Sequence, residues 1–452
     1  MRKREKRLII AFYTTHDAMA FEEYCQKHGI DGRLIPLPQE INAGCGLAWS
    51  APLDLDSKLH CYLLDARIYP QHIKEMIVWT NPSLCENTVD KEVVQRTVSW
   101  VGRNGGMTTK ANLTKLASCA GCGAKVGAGA LSSLLEGFET HVDKNLIVGF
   151  DKSDDASVYM INDDTALIQT VDFFPPIVDD PFLFGQIAAA NAISDIYAMG
   201  GEPRLALNLL CTTKEMQGEW IREILRGGYE KVYEAGAIIT GGHTIIGSEP
   251  FYGLSVSGFA KPDKILKNSN AKPGDSILLT KPLGIGILTT AAKAGMIKSA
   301  LMEKITKQMA QLNKEACRIM QHYRVHSCTD ITGFGLIGHS FEMAKGSNCT
   351  LHLLAKKIPF HNEALEMADM GFVPVGAYRN REYAQAEVEF RGDISRAMQD
   401  IMYDPQTSGG LLIAVDERDG KDLLSHLQSL IPVAELVGYV TEKENKSLVV
   451  EA

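Results

Sequence analysis

The chain has 452 residues, 45% of them hydrophobic and 22% charged, and a formal net charge of −9. Such a length exceeds one ordinary hydrophobic core and suggests about three domains. The acidic balance, with no basic block beyond Arg2, Lys3, Arg4, Lys6 and Arg7, disfavours broad electrostatic binding of nucleic acid.

Leu8 to Tyr13, the apolar run after that basic start, is ended by Thr14, Thr15, His16 and Asp17 and is too short for a secretory core or a membrane span. The ten cysteines lack the even spacing of a disulfide scaffold, so free thiols in a reducing cytoplasm are expected. Arg7 to Tyr13 reads as a strand, and Thr14-Thr15-His16-Asp17 supplies a capping signal for a helix to about Gly29. Gly32 to Leu37 and His60 to Leu64 read as further strands and Tyr69 to Thr80 as a second helix, which closes an α/β unit over residues 1–82. Cys45 falls in its irregular middle.

From Asn81 to Asn112 the composition turns polar around one expected helix, Asp90 to Val101, and residues 83–110 read as a linker. Strand and helix signals then alternate, with a change near Lys261-Pro262-Asp263 that divides the remainder into 111–262 and 263–452.

Ala-Gly-Cys-Gly occurs twice, at Ala43 to Gly46 and at Ala120 to Gly123. Flanking glycines permit positive φ and let backbone N–H groups approach an anion closely. The one Cys-x-x-Cys, Cys119 to Cys122, lacks the second pair or the histidines of a structural zinc site, which ranks redox or nucleophilic use above metal. Cys122 stands three residues before Lys125, and a thiolate beside an ammonium has a lowered pKa and is nucleophilic at neutral pH. The bland alternative is a tight turn with an incidental lysine. A Walker phosphate loop is absent.

Asp154-Asp155, Asp172, Asp195 and Asp330 stand where strands or helices would end. Scattered aspartates converging on one cleft suit Mg²⁺ and the phosphates of ATP better than a calcium cage. Asp195 lies in a helix expected from Asp180-Pro181 to just before Gly200-Gly201, where Asn191 is four residues away on the same face. Gly241-Gly242-His243-Thr244 follows apolar Ala237-Ile238-Ile239 as a strand-to-turn edge suited to a phosphate or adenine, although a lone histidine is more often structural. Thr329 to Gly335 repeats the strand-to-glycine form, and Asp404 to Gly410 is a third such turn that can equally be a structural bend.

Taken together, Ala120-Gly121-Cys122-Gly123-Ala124-Lys125, Ser153-Asp154-Asp155-Ala156, Thr170 to Phe174, Asn191 to Gly201, Gly241-Gly242-His243, Thr329 to Gly335 and Asp404 to Gly410 resemble the selenophosphate synthetases (selenide, water dikinases). That family belongs to the wider group that includes aminoimidazole ribonucleotide synthetase, and the resemblance spans about Leu113 to Ala452. It implies a mixed α/β and α+β protein whose C-terminal part is a two-domain synthetase, preceded by a small α/β domain. It further implies that Cys122 is the family's cysteine-or-selenocysteine position and that Lys125 meets phosphate. Mg²⁺ would be held by Asp155, Asp195 and Asp330, and the nucleotide by Lys125, Lys152, Ser153, Asp154, Asp172, Asp195, Gly241, Gly242 and His243.

The implied reaction converts ATP, selenide and water into selenophosphate, AMP and phosphate in a cytoplasmic homodimer. A monovalent cation and a selenium-delivering protein are further implied partners, and neither nucleic acid nor membrane is. Some relatives carry a second cysteine where this chain has Ala124, so any vicinal redox partner of Cys122 would be Cys119. The first unit resembles a small selenium or sulfur carrier domain through Ile35-Pro36-Leu37-Pro38, Ala43 to Leu47 and Trp49, although Cys45 can also be a small apolar loop filler. Two other readings stand beside the synthetase: a different ATP-dependent kinase of the superfamily, which would need no thiol, and a selenium carrier protein.

Overall fold

A computed structural model describes residues 3–12, 15–37, 41, 47–66, 68–80, 111–117, 120–125, 134, 143–149 and 154–452. The chain divides into two units, Met1–Cys119 and Ala120–Ala452.

The first unit runs β1 (Lys3–Phe12), α1 (Thr15–Lys27), β2 (Arg33–Pro36), β3 (Leu47–Ala51), α2 (Asp56–Ala66) and β4 (Pro70–Thr80). Its four strands form an antiparallel sheet in the order β2-β3-β1-β4. Phe21 meets Trp49 edge-on with ring centroids 5.0 Å apart, and the Trp49 indole N–H donates to Glu22 Oε2 at 2.6 Å, so the buried polar handle is satisfied. Two expectations are reversed here. Tyr69 to Thr80 is a strand, because β-branched Ile73, Ile77, Val78 and Thr80 favour extended backbone and β1 pairs along its length from Lys3↔Thr80 to Ile10↔Ile73. His60 to Leu64 belongs to helix α2, where Leu59 and Leu63, four residues apart, both face the core. The helix expected over Asp90 to Val101, the linker and Cys45 lie outside the described residues.

The second unit contains two sheets. One has β5 (Leu146–Val148), β6 (Ser157–Asn162), β7 (Thr165–Phe174), β8 (Glu202–Thr212), β9 (Ile238–Ile246) and β10 (Phe251–Ala260) in the order β5-β6-β7-β10-β8-β9. The other joins β11 (Asp275–Leu279), β12 (Val325–Asp330), β13 (Thr350–Leu354), β14 (Val388–Arg391), β15 (Leu411–Asp416), β16 (Glu435–Thr441) and β17 (Leu448–Glu451) in the order β12-β15-β11-β16-β13-β17-β14. Among the described residues no helix is long and apolar enough to cross a membrane.

Helices α3 (Pro181–Ala198) and α4 (Gly218–Ala235) cover the six-stranded sheet on the face that carries Ile168, Thr170, Asp172 and Phe174. The start of α3 is set as its sequence anticipates, with Asp180 accepting from Leu183 N at 2.9 Å and Pro181 in the first turn. The two helices cross closely through glycines. A Cβ on Gly185 would stand 2.0 Å from the Ile224 carbonyl oxygen, and one on Gly227 2.0 Å from that of Phe182. This contact fixes the depth at which α3 carries Asn191 and Asp195 towards β7.

Replacing Gly227 with Ala should force the helices apart and destabilise the unit by about 1–3 kcal/mol. Thermal unfolding reads the loss, and an unchanged midpoint would show that the helices have room the packing denies.

Candidate active site

Gly121–Ala124 forms a single tight helical turn that begins at Gly121 with φ +53°. Only glycine fits there, since a Cβ would lie 2.4 Å from Thr407 Oγ1 and 2.6 Å from Ile177 Cδ1. The turn is held on several sides. Gly121 N donates to Pro175 O at 3.1 Å, Cys122 N to Thr407 Oγ1 at 3.1 Å, and the Cys122 thiol to Asn191 Oδ1 at 3.2 Å. Lys125 Nζ reaches Asp172 Oδ2 at 3.0 Å, and the Asn191 side-chain amide donates to the same oxygen. Gly333 packs on the other side, where a Cβ would stand 2.8 Å from Cys122 O.

This geometry overturns one expectation about the thiol. Cys122 is 1% exposed, and burial pushes its pKa far above the ordinary thiol range, with Lys125 opposing the shift without cancelling it. Cys122 therefore stands as a neutral thiol. Proximity in sequence to Lys125 did not decide the matter, because the ammonium is committed to Asp172. Burial works against the charge of Lys125, and the carboxylates of Asp172 and Asp195 outweigh it and keep the ammonium protonated.

Beside this loop three aspartates converge. Asp155 Oδ1 accepts from Thr329 Oγ1 at 2.8 Å, Asp195 Oδ2 accepts from the Thr170 hydroxyl, and Asp330 ends β12 fully buried. Burial raises the pKa of each, and Asp330 repels both Asp155 and Asp195. Asp155 Oδ2 and Asp330 Oδ2 are buried without a hydrogen-bond partner. Uncompensated carboxylate oxygens pressed together call for a cation. Among the described residues no three His, Cys, Asp or Glu side chains close into a ready cage. Mg²⁺ ordinarily takes a few carboxylates and completes its shell with water and phosphate.

The remaining expected residues divide. Asp172 sits at the centre of the Lys125 and Asn191 contacts, and Asp154 Oδ1 accepts from Asn268 N at 3.0 Å, which ties it to backbone. Gly241, Gly242 and His243 do not form a turn but lie within β9, paired in parallel with Leu207, Asn208 and Leu209. The β-branched residues on both sides continue the ladder through the glycines, and a Cβ on Gly242 would stand 2.4 Å from Asn208 O. Asp172, Leu254, Asn208 and Gly242 share one row across the sheet, so His243 falls on the opposite face from Asp172. Lys152, Ser153 and Cys119 lie outside the described residues. Cys25, Cys122, Cys211, Cys317, Cys328 and Cys349 are free thiols.

Asn191 enters the site as its i,i+4 spacing to Asp195 in a buried helix led one to expect. Thr407, Ser408, Thr170 and Thr329 enter it without having been assigned to it from sequence, and the available signal was the glycine-ended turn Asp404 to Gly410.

Residues 153–260 match the family described as AIR synthase related protein, N-terminal domain, and residues 272–451 its C-terminal domain. Residues 7–75 match a Se/S carrier protein-like family. A selenide, water dikinase of Clostridium botulinum (strain Eklund 17B / Type B) is 52% identical over 345 residues, 76% of this chain and 100% of that protein. One from Treponema denticola is 52% identical over 342 residues, covering 75% and 96%. Among solved structures, thiamine monophosphate kinase of Aquifex aeolicus aligns with a TM-score of 0.52 at 16% identity over 72% of this chain and 98% of that one. A HypE–HypF complex aligns with a TM-score of 0.53 at 17% identity, covering 72% and 96%. Both share the fold.

A carboxyl whose pKa is raised by folding costs stability as pH climbs above its ordinary 3.8, because the unfolded chain then ionises while the folded carboxyl keeps its proton, and the loss is complete above the raised folded pKa. Asp155→Asn should accordingly raise the metal-free unfolding midpoint at pH 8, with a smaller gain at pH 5, and should remove most of the stabilisation that added Mg²⁺ gives the unaltered protein. Scanning calorimetry at both pH values, with and without Mg²⁺, checks this. A variant less stable without metal, or equally responsive to Mg²⁺, would contradict the assignment.

Proposed function

The chain belongs to the selenide, water dikinase family, and we propose that it makes selenophosphate and releases AMP and phosphate from ATP, selenide and water. One observation carries this reading: a buried thiol, a lysine ammonium and a set of mutually repelling carboxylates meet at one place in the second unit. A thiol suits a soft selenium anion, and the cation-seeking carboxylates suit a triphosphate. A kinase acting on a sugar or thiamine phosphate needs only the second of these.

In this reading Asp155, Asp195 and Asp330 would hold Mg²⁺, which would neutralise phosphate charge when bound. Lys125 exchanges its bond to Asp172 for a phosphate oxygen and orients the group to be transferred. Asp172 and Asn191 keep the lysine and the thiol aligned meanwhile. The Gly121–Ala124 turn, packed between Pro175, Thr407 and Gly333, keeps water from the reacting phosphoryl group. Cys122 handles selenium.

A homodimer is part of the proposal. Val171, Phe173, Leu205 and Leu207, 42–57% exposed, form an apolar patch on the sheet face away from α3 and α4, which a second copy would cover. The free thiols support a cytoplasmic setting, and the carrier-like match at residues 7–75 supports delivery of selenium from a tethered domain, with Cys45 as the donor thiol. A monovalent cation rests on family resemblance alone.

Cys122→Ala should lose selenide-dependent AMP release by at least about a hundredfold while still binding ATP, as removal of a covalent or proton-handling group does. Full product formation by that variant would remove Cys122 from the mechanism. Separately, Phe173→Asp should convert a dimer to a monomer in light scattering, and a dimer of unchanged stability would place the contact elsewhere.

A further inference from the structure

The turn Asp404 to Gly410 has no assigned task, yet it meets Cys122 once directly and once through Asn191. Thr407 Oγ1 accepts from Cys122 N at 3.1 Å, and Ser408 N donates at 2.8 Å to Asn191 Oδ1, the oxygen that receives the Cys122 thiol proton. Ser408 holds φ +52°, a left-handed conformation that serine adopts at a cost, and it is 1% exposed. Surrounding bonds impose this conformation. Lys281 Nζ donates to Ser408 O at 2.9 Å, Asn313 Nδ2 to Gly409 O at 2.9 Å, and Ile331 N to Gly410 O at 2.9 Å.

The effect on Asn191 is directional. Its Nδ2 is drawn to Asp172, and the Ser408 N–H draws Oδ1 the other way, so an oxygen faces the sulfur. A carbonyl oxygen accepts an S–H and repels a thiolate. Gln406 N also donates to Thr332 O at 2.9 Å, so the chain leaving Asp330 is anchored on the same turn as the thiol.

We propose that Thr407 and Ser408 are positioning residues that keep Cys122 seated against Asn191 until the loop is displaced. This rests on Cys122 being the selenium-handling residue. Thr407 sets the loop through its hydroxyl, and Ser408 sets the amide of Asn191 through its backbone N–H.

The test is alkylation of the full-length protein by iodoacetamide, with Cys122 followed by peptide mass spectrometry. Thr407→Val removes the acceptor and keeps the shape, and should speed Cys122 alkylation about fivefold, the worth of one buried hydrogen bond. Thr407→Ser restores the hydroxyl and should return the rate to that of the unaltered protein. Ser408→Gly keeps the N–H and relieves the conformational cost, so its rate should stay within about twofold. An unchanged rate in Thr407→Val, or an equal rise in Thr407→Ser, overturns the proposal. Should Thr407→Val fail to fold, Thr407→Ala gives the same reading without crowding. Alkylation does not depend on turnover, so a fully active Cys122→Ala would sink the functional reading while leaving the positioning result intact.

Discussion

The side-chain amide of Asn191 is the joint on which the site depends. Its oxygen receives the Cys122 thiol and the Ser408 N–H, and its nitrogen donates to the Asp172 carboxylate that also holds Lys125. Loop, sheet and C-terminal turn are thus joined through one buried amide whose oxygen and nitrogen are drawn in opposite directions. Its location follows from packing at a distance: Gly185 and Gly227 let α3 lie close against α4 and so bring one face of α3 down onto β7.

A second constraint opposes the first. Asp155, Asp195 and Asp330 repel one another in a poorly hydrated place, and two of their oxygens have no partner. A protein selected for stability alone would not keep such a group. In the proposed reaction a cation and phosphate would offset that cost, and the repulsion would then become affinity for them. The thiol follows the same logic in reverse, since burial keeps Cys122 uncharged and chemically quiet while no substrate is present.

Much of this was legible in the sequence where local signals and tertiary packing agree. Asp180-Pro181 and Gly200-Gly201 bracket α3 as anticipated, and the i,i+4 pair Asn191 and Asp195 lies on one buried face. Legibility failed where a non-local partner decided. Pro70–Thr80 is a strand because β1 pairs with it, and Gly241-Gly242 stays extended because β8 continues the ladder beneath it. Neither partner can be read from the segment itself. The thiol state was misjudged for a related reason: spacing places Lys125 near Cys122, but only the fold reveals that Asp172 engages the ammonium and that the sulfur is buried. Thr407 escaped because a contact 285 residues away in sequence leaves no periodic trace.

The most direct test is phosphorus NMR of the intact protein turning over ATP and Mg²⁺ in the presence and absence of selenide. Selenophosphate, AMP and phosphate should accumulate together in equal amounts over many turnovers, and only when selenide is supplied. Accumulation of ADP as the end product, or ATP consumption that selenide does not alter, would contradict the union of thiol, lysine and carboxylates in one selenium-activating site.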